Sequence, residues 1–367
     1  MNYLSICSGI EAASCAWRWL GWEPLGFSEI EKFPCSVLAH HYPNVPNLGD
    51  LTKITEDDLK RISNGRSIDL IVGGTPCQDV SVAGKRAGIH GERSGLAFEY
   101  IRLLNSARPR WIVWENVPGV LSSNQGADFR EFINSLNDAG YGVAWRVLDA
   151  QSFGVAQRRR RVFLVGYLGD WRPAAAVLFE SEGMQGDFAQ SAGKTEGASG
   201  SVEGCSDSSG SIKRSNCLTP GLEQSRRVLT IDGKSDTISG GHKVFAPGGA
   251  IFEPAKKERL IYDPSHRSDV IRTYEDGKTA TLTARMGTGG HNIQLVEEKN
   301  PINRVRKLTP IECLRLQGFP DDWFAGVEGY SDTAAYKAIG NSMAVPCMYW
   351  IGRRLDMVDS LLMLRWR

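Results

Sequence analysis

Short apolar runs alternate with segments of helical periodicity along the first 170 residues, and this alternation constrains the fold more than any other feature of the chain. An alternation of β and α elements favours a mostly parallel, doubly wound sheet with helices on both faces. The predicted strands are 3–7, 23–30, 67–74, 111–117, 142–150 and 161–169, and the predicted helices include 11–21, 94–109 and 126–140. The predicted fold class is therefore α/β.

The alternation stops near residue 172, and a region of different composition follows. Residues 181–211 are rich in Ser and Gly and predict a flexible linker. Short β-like runs with many glycines occupy 226–298, including RRVLTI and KTATLTARM, and helical signals return after Leu308. We therefore predict one α/β domain built from 1–172 and 306–367, with a small β-rich domain inserted at 173–305.

The composition excludes several classes of protein. The 367 residues carry a formal net charge of +1, so a nucleic-acid surface would need clustered basic residues. The chain has no apolar run of about twenty residues, as a membrane-spanning helix requires, and its first residues do not resemble a secretion signal. Eight cysteines form no CxxC pair, which predicts a reduced, cytoplasmic protein without a metal site.

Cys77 lies in the stretch GGTPCQDVSVAG, directly after a proline and just past an apolar run. Buried structural cysteines pack as small hydrophobic residues, whereas a cysteine on a loop at a strand end presents its thiol. A thiolate is a nucleophile. One reaction that needs it is addition to carbon 6 of cytosine, which makes carbon 5 nucleophilic. That mechanism also needs an acid near N3 of the ring.

Glu115 is a candidate for this acid because it ends the apolar run WIVWENV at the same edge of the predicted sheet. Four arginines follow in AQRRRRVFLVG. Alternate residues of a strand share a face, so Arg159 and Arg161 point one way, while Arg158 and Arg160 point the other way. A loop acid at Glu115 and a solvated strand edge at the arginines are the alternative interpretations.

The N-terminal stretch YLSICSGIEAA places a turn between a predicted strand and a predicted helix. In an α/β sheet this is the position of a nucleotide-binding turn, here formed by Ser8 and Gly9 without the usual glycine repeat. Glu29 ends the next predicted strand, where a carboxylate can accept hydrogen bonds from ribose hydroxyls. Asp50 suits an adenine amino group. An ordinary turn and two surface acids are the alternatives.

Together these motifs resemble the DNA (cytosine-5) methyltransferase family, in order and spacing over most of the chain. The resemblance is carried by SGI, Glu29, GDLT, GGTPCQDVSVAG, ERSGL, ENV, QRRRR, RKLTPIECLRLQGFP and IGNSMAVP. It implies a Rossmann-like, S-adenosylmethionine-dependent methyltransferase fold whose insert is a target-recognition domain. It also implies double-stranded DNA as the partner of a monomer, with a cognate restriction endonuclease as a further partner.

The same resemblance implies roles for individual residues. Cys77 would be the nucleophile, Glu115 would contact N3 and the amino group of the cytosine, Arg161 would contact O2, and Arg159 would hold Glu115 in place. The residues implied for S-adenosylmethionine are Ser8, Gly9, Ile10, Glu29, Ile30, Asp50, Leu51, Gly74, Pro76, Leu96, Asn341 and Ser342. Those implied for DNA are Gln78, Ser81 and Arg93, on a loop that closes over the duplex.

The chain departs from the family pattern at the cofactor turn. Cys7 replaces the usual phenylalanine, Glu11 and Ala12 stand where glycines are common, and Ile30 replaces an aromatic residue. An RNA cytosine methyltransferase, a catalytically silent DNA-binding module and a Rossmann oxidoreductase are the alternative functions. The sizeable insert favours reading of duplex DNA over RNA, and the intact catalytic motifs argue against a silent module.

Overall fold

The structure is a computed structural model that describes residues 1–75, 95–179, 261–263, 272–274, 278–287, 294–298 and 304–365. The predicted linker 181–211 lies outside the described residues, as do five predicted site residues, Pro76, Cys77, Gln78, Ser81 and Arg93.

Six strands form the larger sheet: β1 (Asn2–Ile6), β2 (Glu23–Ser28), β3 (Leu70–Gly73), β4 (Trp111–Asn116), β5 (Tyr141–Asp149) and β6 (Arg160–Leu168). They lie in the order β2-β1-β3-β4-β6-β5, and the first four pair in parallel. β6 runs antiparallel to both of its neighbours. The predicted α/β class with a mostly parallel sheet is confirmed, with one reversed strand.

Nine α-helices are described: α1 (Ala12–Trp17), α2 (Lys32–His41), α3 (Glu56–Ser63), α4 (Gly95–Ala107), α5 (Ala127–Asp138), α6 (Arg172–Leu178), α7 (Pro310–Gln317), α8 (Asp332–Asn341) and α9 (Val345–Arg365). α1 ends four residues before the predicted stop at Gly21. The Trp17 indole donates to the carbonyl of Met348 (2.7 Å) on α9, and Leu20 N–H then closes a turn on the Trp17 carbonyl. Packing against α9 therefore ends the helix early.

The sheet is covered on both faces, as a doubly wound fold requires. Leu70 and Val72 of β3 point into one hydrophobic core, which also contains residues of α1, α6 and α9. Ile71, between them, points into the other core, with residues of α3, α4 and α5. Helices on the two faces leave the carboxyl ends of the parallel strands as the natural place for a site.

The described part of the predicted insert contains a second sheet of four antiparallel strands. These are β7 (Ile261–Asp263), β8 (Arg272–Tyr274), β9 (Leu295–Glu298) and β10 (Arg304–Lys307), in the order β10-β9-β7-β8. The run KTATLTARM is not a strand of this sheet, contrary to the prediction. Its Thr279 forms an isolated parallel bridge with Gln157, and a 3₁₀ helix over Ala284–Gly287 follows.

Helix α6 lies inside the range predicted for the insert, but it packs on the larger sheet. Ala174, Val177 and Leu178 are buried in its first core, and the Arg354 guanidinium of α9 donates to the carbonyl of Ala176 (2.7 Å). The bounds predicted for the insert stay a prediction, and this helix belongs to the packing of the larger sheet. Within the described ranges, no helix is both long and apolar enough to cross a membrane.

Candidate active site

Glu115 and Arg161 form an ion pair at the end of β4. The Glu115 Oε1 atom lies 3.2 Å from Arg161 Nε, and both side chains are largely buried. Glu115 pairs with Phe163 across β4 and β6. Arg161 lies two residues before Phe163 on the same strand, so it reaches Glu115 along the diagonal of one sheet face. The two strands bring the predicted acid and one predicted arginine together.

The faces predicted for the arginine run are confirmed. Gln157 is 0% exposed and Arg159 is 2% exposed, whereas Arg158 and Arg160 are exposed. The Arg161 side chain is 14% exposed. Burial lowers the pKa of the Arg161 guanidinium, and the neighbouring Glu115 carboxylate partly offsets that effect.

The Glu115 carboxylate keeps one oxygen free of hydrogen bonds among the described residues. Its Oε1 is close enough to Arg161 for an ion pair, but the geometry is not that of a hydrogen bond. Buried polar atoms are almost always hydrogen-bonded. A buried acceptor of this kind, at the carboxyl ends of the parallel strands, is suited to a donor group on a ligand.

The start of the cysteine loop is fixed against Glu115. A β-carbon at Gly74 would lie 2.9 Å from the Glu115 carbonyl oxygen and 3.0 Å from its Oε2 atom, so only glycine fits there. Thr75 is anchored by two neighbours of Glu115: its hydroxyl accepts from Trp114 Nε1 and its carbonyl accepts from Asn116 Nδ2, both at 3.1 Å. Pro76 and Cys77 follow Thr75 directly in the chain.

The predicted cofactor turn lies between β1 and α1. Gly9 has a left-handed backbone (φ +57°), and the space where a β-carbon would point is open. Its N–H donates to Glu29 Oε2 at 2.7 Å. The other Glu29 oxygen accepts from the backbone N–H groups of Ile30 (2.9 Å) and Glu31 (2.8 Å). Ile30 lies beside this carboxylate and is 71% exposed, so its side chain is available as an apolar contact for a flat ring of a ligand.

Ser8 and Ile10 contribute to the turn in different ways. Ser8 is buried and joins the ends of β1 and β2, since its N–H donates to the Ser28 carbonyl at 3.1 Å. Ile10 is fully buried, and its carbonyl accepts from Trp323 Nε1 at 3.1 Å. The Trp323 ring stacks on His41 with centroids 3.8 Å apart. Sequence reasoning missed Trp323, because nothing in the local pattern links it to a turn more than 300 residues away.

Asp50 and Leu51 follow the loop beside β2. The Asp50 carboxylate accepts from the Thr52 N–H (3.0 Å), and these hydrogen bonds lower its pKa. Leu51 is buried. The sequence did not suggest Asn47 as a site residue. Its Oδ1 accepts from the N–H of Glu29 at 3.0 Å, which connects this loop to the acid predicted to bind the ribose.

The last predicted cofactor residues come from two distant helices. Asn341 ends α8 and is exposed, while Ser342 is buried directly after it. Leu96 is half-buried in the first turn of α4.

Among the described residues Arg159 makes no hydrogen bond to Glu115, and Glu115 acts on it only through its charge, which raises the pKa of Arg159. Its guanidinium instead donates to three backbone carbonyls: Leu282 (3.0 Å), Gly340 (3.3 Å) and Ser342 (2.6 Å). The pairing of β4 with β6 ends at Asn116. Arg159 lies beyond that end, so it faces α8 instead. Complete burial lowers the pKa of Arg159 to about 9.

We call residues 156–168, which comprise the run of arginines and β6, the arginine strand, and a segment of the insert docks on its first residues. Thr279 exchanges backbone hydrogen bonds with Ala156 and Arg158, both at 2.9 Å, and the Thr281 hydroxyl donates to the Arg158 carbonyl at 2.7 Å. A β-carbon at Gly340 would lie 2.2 Å from the Thr283 carbonyl carbon, so α8 and the docked segment are in close contact. The insert is thereby joined to the edge that carries Asn341 and Ser342.

The model of the family described as C-5 cytosine-specific DNA methylase matches residues 1–356 of the chain. The chain belongs to this family. The chain is 35% identical to the "DNA N-6-adenine-methyltransferase" of Escherichia phage P1, in an alignment covering 96% of the chain and 61% of the phage protein. It therefore spans about three fifths of that relative's length. It is 30% identical to the "Type II methyltransferase M1.ScrFI" of Lactococcus lactis subsp. cremoris, over 89% of the chain and 70% of the relative.

The chain also resembles solved structures. A crystal structure of Spodoptera frugiperda DNMT2 aligns with 96% of the chain and 99% of its own length, at a TM-score of 0.60 and 17% sequence identity. At this identity the likeness concerns the fold, which is the Rossmann-like fold of S-adenosylmethionine-dependent methyltransferases. The family and its type II relatives associate the chain with DNA methylation and restriction–modification.

S-adenosylmethionine is the cofactor of this family, and the described residues fit it. The open side of Gly9 leaves the backbone of the turn accessible. The exposed Ile30 offers an apolar surface beside the Glu29 carboxylate.

Proposed function

We propose that the methylase transfers a methyl group to carbon 5 of a cytosine that is turned out of duplex DNA at a specific sequence. The observation that carries this proposal is the buried Oε1 of Glu115, which is paired with Arg161 and accepts no hydrogen bond from the described residues. Cytosine presents an amino donor next to N3 and a carbonyl acceptor at O2. A carboxylate beside a guanidinium matches both groups.

Cys77 is the proposed nucleophile. Two peptide links span at most about 7 Å, so Cys77 is tethered close to Thr75, which is itself anchored beside Glu115. The thiolate adds to carbon 6, and the electrons of the ring double bond move toward carbon 5 and N3. Glu115 acts as the acid: it donates a proton to N3 as negative charge develops there and takes that proton back when the thiolate leaves, while the Arg161 guanidinium donates to O2.

The second half of the reaction reverses the addition. Bound S-adenosylmethionine supplies the methyl group that carbon 5 takes up. A base, for which water is a candidate, then removes the proton from carbon 5, and the electrons of that bond expel the Cys77 thiolate. The proposed cofactor residues are Ser8, Gly9, Ile10, Glu29, Ile30, Asp50, Leu51, Gly74, Pro76, Leu96, Asn341 and Ser342.

Duplex DNA hides carbon 6 inside the base stack, so the target base must be extruded at a cost of a few kcal/mol. Gln78, Ser81 and Arg93 are the proposed DNA contacts on the catalytic side, and the insert is the proposed sequence-reading domain. The docked segment at Thr279–Leu282 supports this division, because it joins the insert to the arginine strand. We propose a monomer, in the cytoplasm, with a cognate restriction endonuclease as a candidate partner.

Adenine methylation is the second candidate, because the phage P1 relative is named for it. That name describes a protein of which the chain matches 61%, and the matching family model is specific for cytosine. Transfer to an exocyclic amine also needs no thiol adduct. RNA cytosine is the third candidate.

Nucleoside mass spectrometry separates these candidates in one experiment. Purified protein and S-adenosylmethionine are incubated with unmethylated DNA or with RNA, and 5-methylcytosine and N6-methyladenine are measured in both. We expect 5-methylcytosine in DNA alone. N6-methyladenine in DNA, or 5-methylcytosine in RNA only, would overturn the proposal.

Two variants test the assigned roles. Cys77→Ser should abolish turnover while leaving DNA binding intact, and DNA with 5-fluorocytosine at the target should trap a covalent adduct with the wild-type protein. Glu115→Gln should lower the single-turnover rate by about 100-fold or more, as loss of a charge-stabilising group does. Glu328→Gln, at an exposed acid, serves as the surface control.

A further inference from the structure

Glu11 is a buried acid in the cofactor turn, at a position where the resemblance leads one to expect glycine. Its side chain is 1% exposed. Its backbone is left-handed, with φ +62°, a conformation that glycine adopts freely and that a β-carbon disfavours. Favourable contacts of the side chain must therefore compensate for this conformation.

The Glu11 carboxylate joins the two elements on either side of the turn. Its Oε2 accepts from the Ser5 hydroxyl at 2.8 Å, and Ser5 is part of β1. Its Oε1 accepts from both the N–H (3.0 Å) and the hydroxyl (2.8 Å) of Ser14, in the first turn of α1. The side chain acts as a helix cap and as a link from the helix to the strand.

The turn between these elements needs such a link. Cys7 (φ +47°), Gly9 (φ +57°) and Glu11 (φ +62°) are all left-handed, and only one of the three is glycine. Gly9 in turn donates its N–H to Glu29, the proposed ribose acid. A change at Glu11 would therefore reach the proposed cofactor contacts through the backbone of a short turn.

We propose that Glu11 is a positioning residue for S-adenosylmethionine, whose carboxylate fixes the backbone from Ser8 to Ile10 in the shape that receives the cofactor. The inference rests on the proposed cofactor site, and it adds a residue that lies behind the turn rather than in contact with the ligand.

The charge of Glu11 supports this role. Burial raises the pKa of Glu11 from 4.5 to about 7; hydrogen bonds from Ser5 and Ser14 act against that shift, and nearby Glu29 adds to it. The other titratable groups around the network are Tyr3, Cys7, Cys15, Arg18 and Tyr42. An ionised carboxylate accepts all three hydrogen bonds, whereas a protonated one uses an oxygen as a donor. The complete network therefore forms above about pH 7.

Calorimetric titration of S-adenosylmethionine and S-adenosylhomocysteine, without nucleic acid, tests the proposal at pH 6 and pH 8. Glu11→Gln keeps the shape but not the charge. At pH 8 we expect it to bind S-adenosylmethionine about 10-fold more weakly than the wild type, as loss of a charged hydrogen bond predicts. At pH 6 the two proteins should agree within about twofold, because the wild-type acid is then protonated. Glu328→Gln removes an exposed acid outside this turn and should bind as the wild type does at both values.

Equal affinities of wild type and Glu11→Gln for S-adenosylmethionine at pH 8 would overturn the proposal. Glu11→Gly removes both the strain and the network, and it keeps the test available if the glutamine variant does not fold. It should bind weakly at both pH values; wild-type affinity in this variant would show that the network positions nothing. Normal cofactor binding with the expected pH dependence, but without 5-methylcytosine formation, would refute the proposed function alone.

Discussion

Glu11 and Arg159 are both buried ionisable side chains that lack an ion-pair partner within the described ranges. Their hydrogen-bond partners lie at very different separations along the chain. Glu11 accepts from residues three and six positions away. Arg159 donates to carbonyls 123 to 183 positions away. The acid therefore shapes one local turn, whereas the arginine joins three distant segments: the insert, the end of α8 and its own strand.

The local hydrogen bonds of Glu11 and the long-range hydrogen bonds of Arg159 support different parts of the candidate site. The Glu11 network acts on the proposed cofactor turn alone. The Arg159 contacts connect the docked segment of the insert, through Leu282, with the backbone of Gly340 and Ser342. Arg159 therefore links the proposed DNA-reading domain to the residues proposed for the cofactor.

Arg159→Gln should have the largest effect of the substitutions that distinguish the two regions. It removes a buried cation and leaves three carbonyls with fewer donors, so the free energy of unfolding should fall by about 4 kcal/mol. Urea unfolding measures this change. Arg160→Gln, on the exposed face of the same strand, should change it by less than about 0.5 kcal/mol. A small loss for Arg159→Gln would mean that the three segments hold together without the guanidinium.

Glu11→Gln should change the pH dependence of stability. The folded-state pKa of Glu11 is raised from 4.5 to about 7, so its protonated form stabilises the fold. This contribution is present below about pH 4.5 and is lost as the pH rises to about 7. The variant should therefore gain up to about 3 kcal/mol relative to the wild type across that window.

Urea unfolding at several pH values between 4.5 and 8 provides the measurement for Glu11→Gln. A constant difference between the two proteins would show that Glu11 does not titrate in the fold. Together with weaker cofactor binding at pH 8, the expected result would mean that the ionised acid lowers stability while it supports function, a common trade-off at active sites.

Gly340→Ala tests the long-range contacts without touching a charge. Its β-carbon would lie 2.2 Å from the Thr283 carbonyl carbon, so α8 and the docked segment must move apart. We expect a loss of about 2 kcal/mol in unfolding free energy and faster hydrogen exchange at Thr279. Gly95→Ala, where no atom lies within 4 Å of the added carbon, is the matched control. Unchanged exchange at Thr279 would contradict the close contact.

Thr281→Val should have the smallest effect. It removes the hydroxyl that donates to the Arg158 carbonyl, at a cost of about 1 kcal/mol. Thr283→Val changes an exposed side chain two positions along and serves as the control. If both variants unfold at the same urea concentration, backbone pairing alone docks this segment.

Much of the fold and of the candidate site was predictable because it depends on local patterns. The apolar runs place Glu115 at a strand end, and the period of two in a strand places Arg159 and Arg161 on one face. Even so, the boundary of α1 and the conformation of the segment around Thr279 were predicted incorrectly, because packing against α9 and docking on the arginine strand override local propensity.

The sequence by itself determined the α/β class, the family and the identities of the candidate acid, thiol and arginines, since strand and helix periodicities and short motifs are properties of neighbouring residues. Only the tertiary structure decided what each buried charge contacts. It paired Glu115 with Arg161, turned Arg159 toward three distant carbonyls, and enclosed Glu11 between β1 and α1. The physical reason is that a buried charge must be satisfied by whichever groups the fold brings within hydrogen-bonding distance, and sequence separation does not specify those groups.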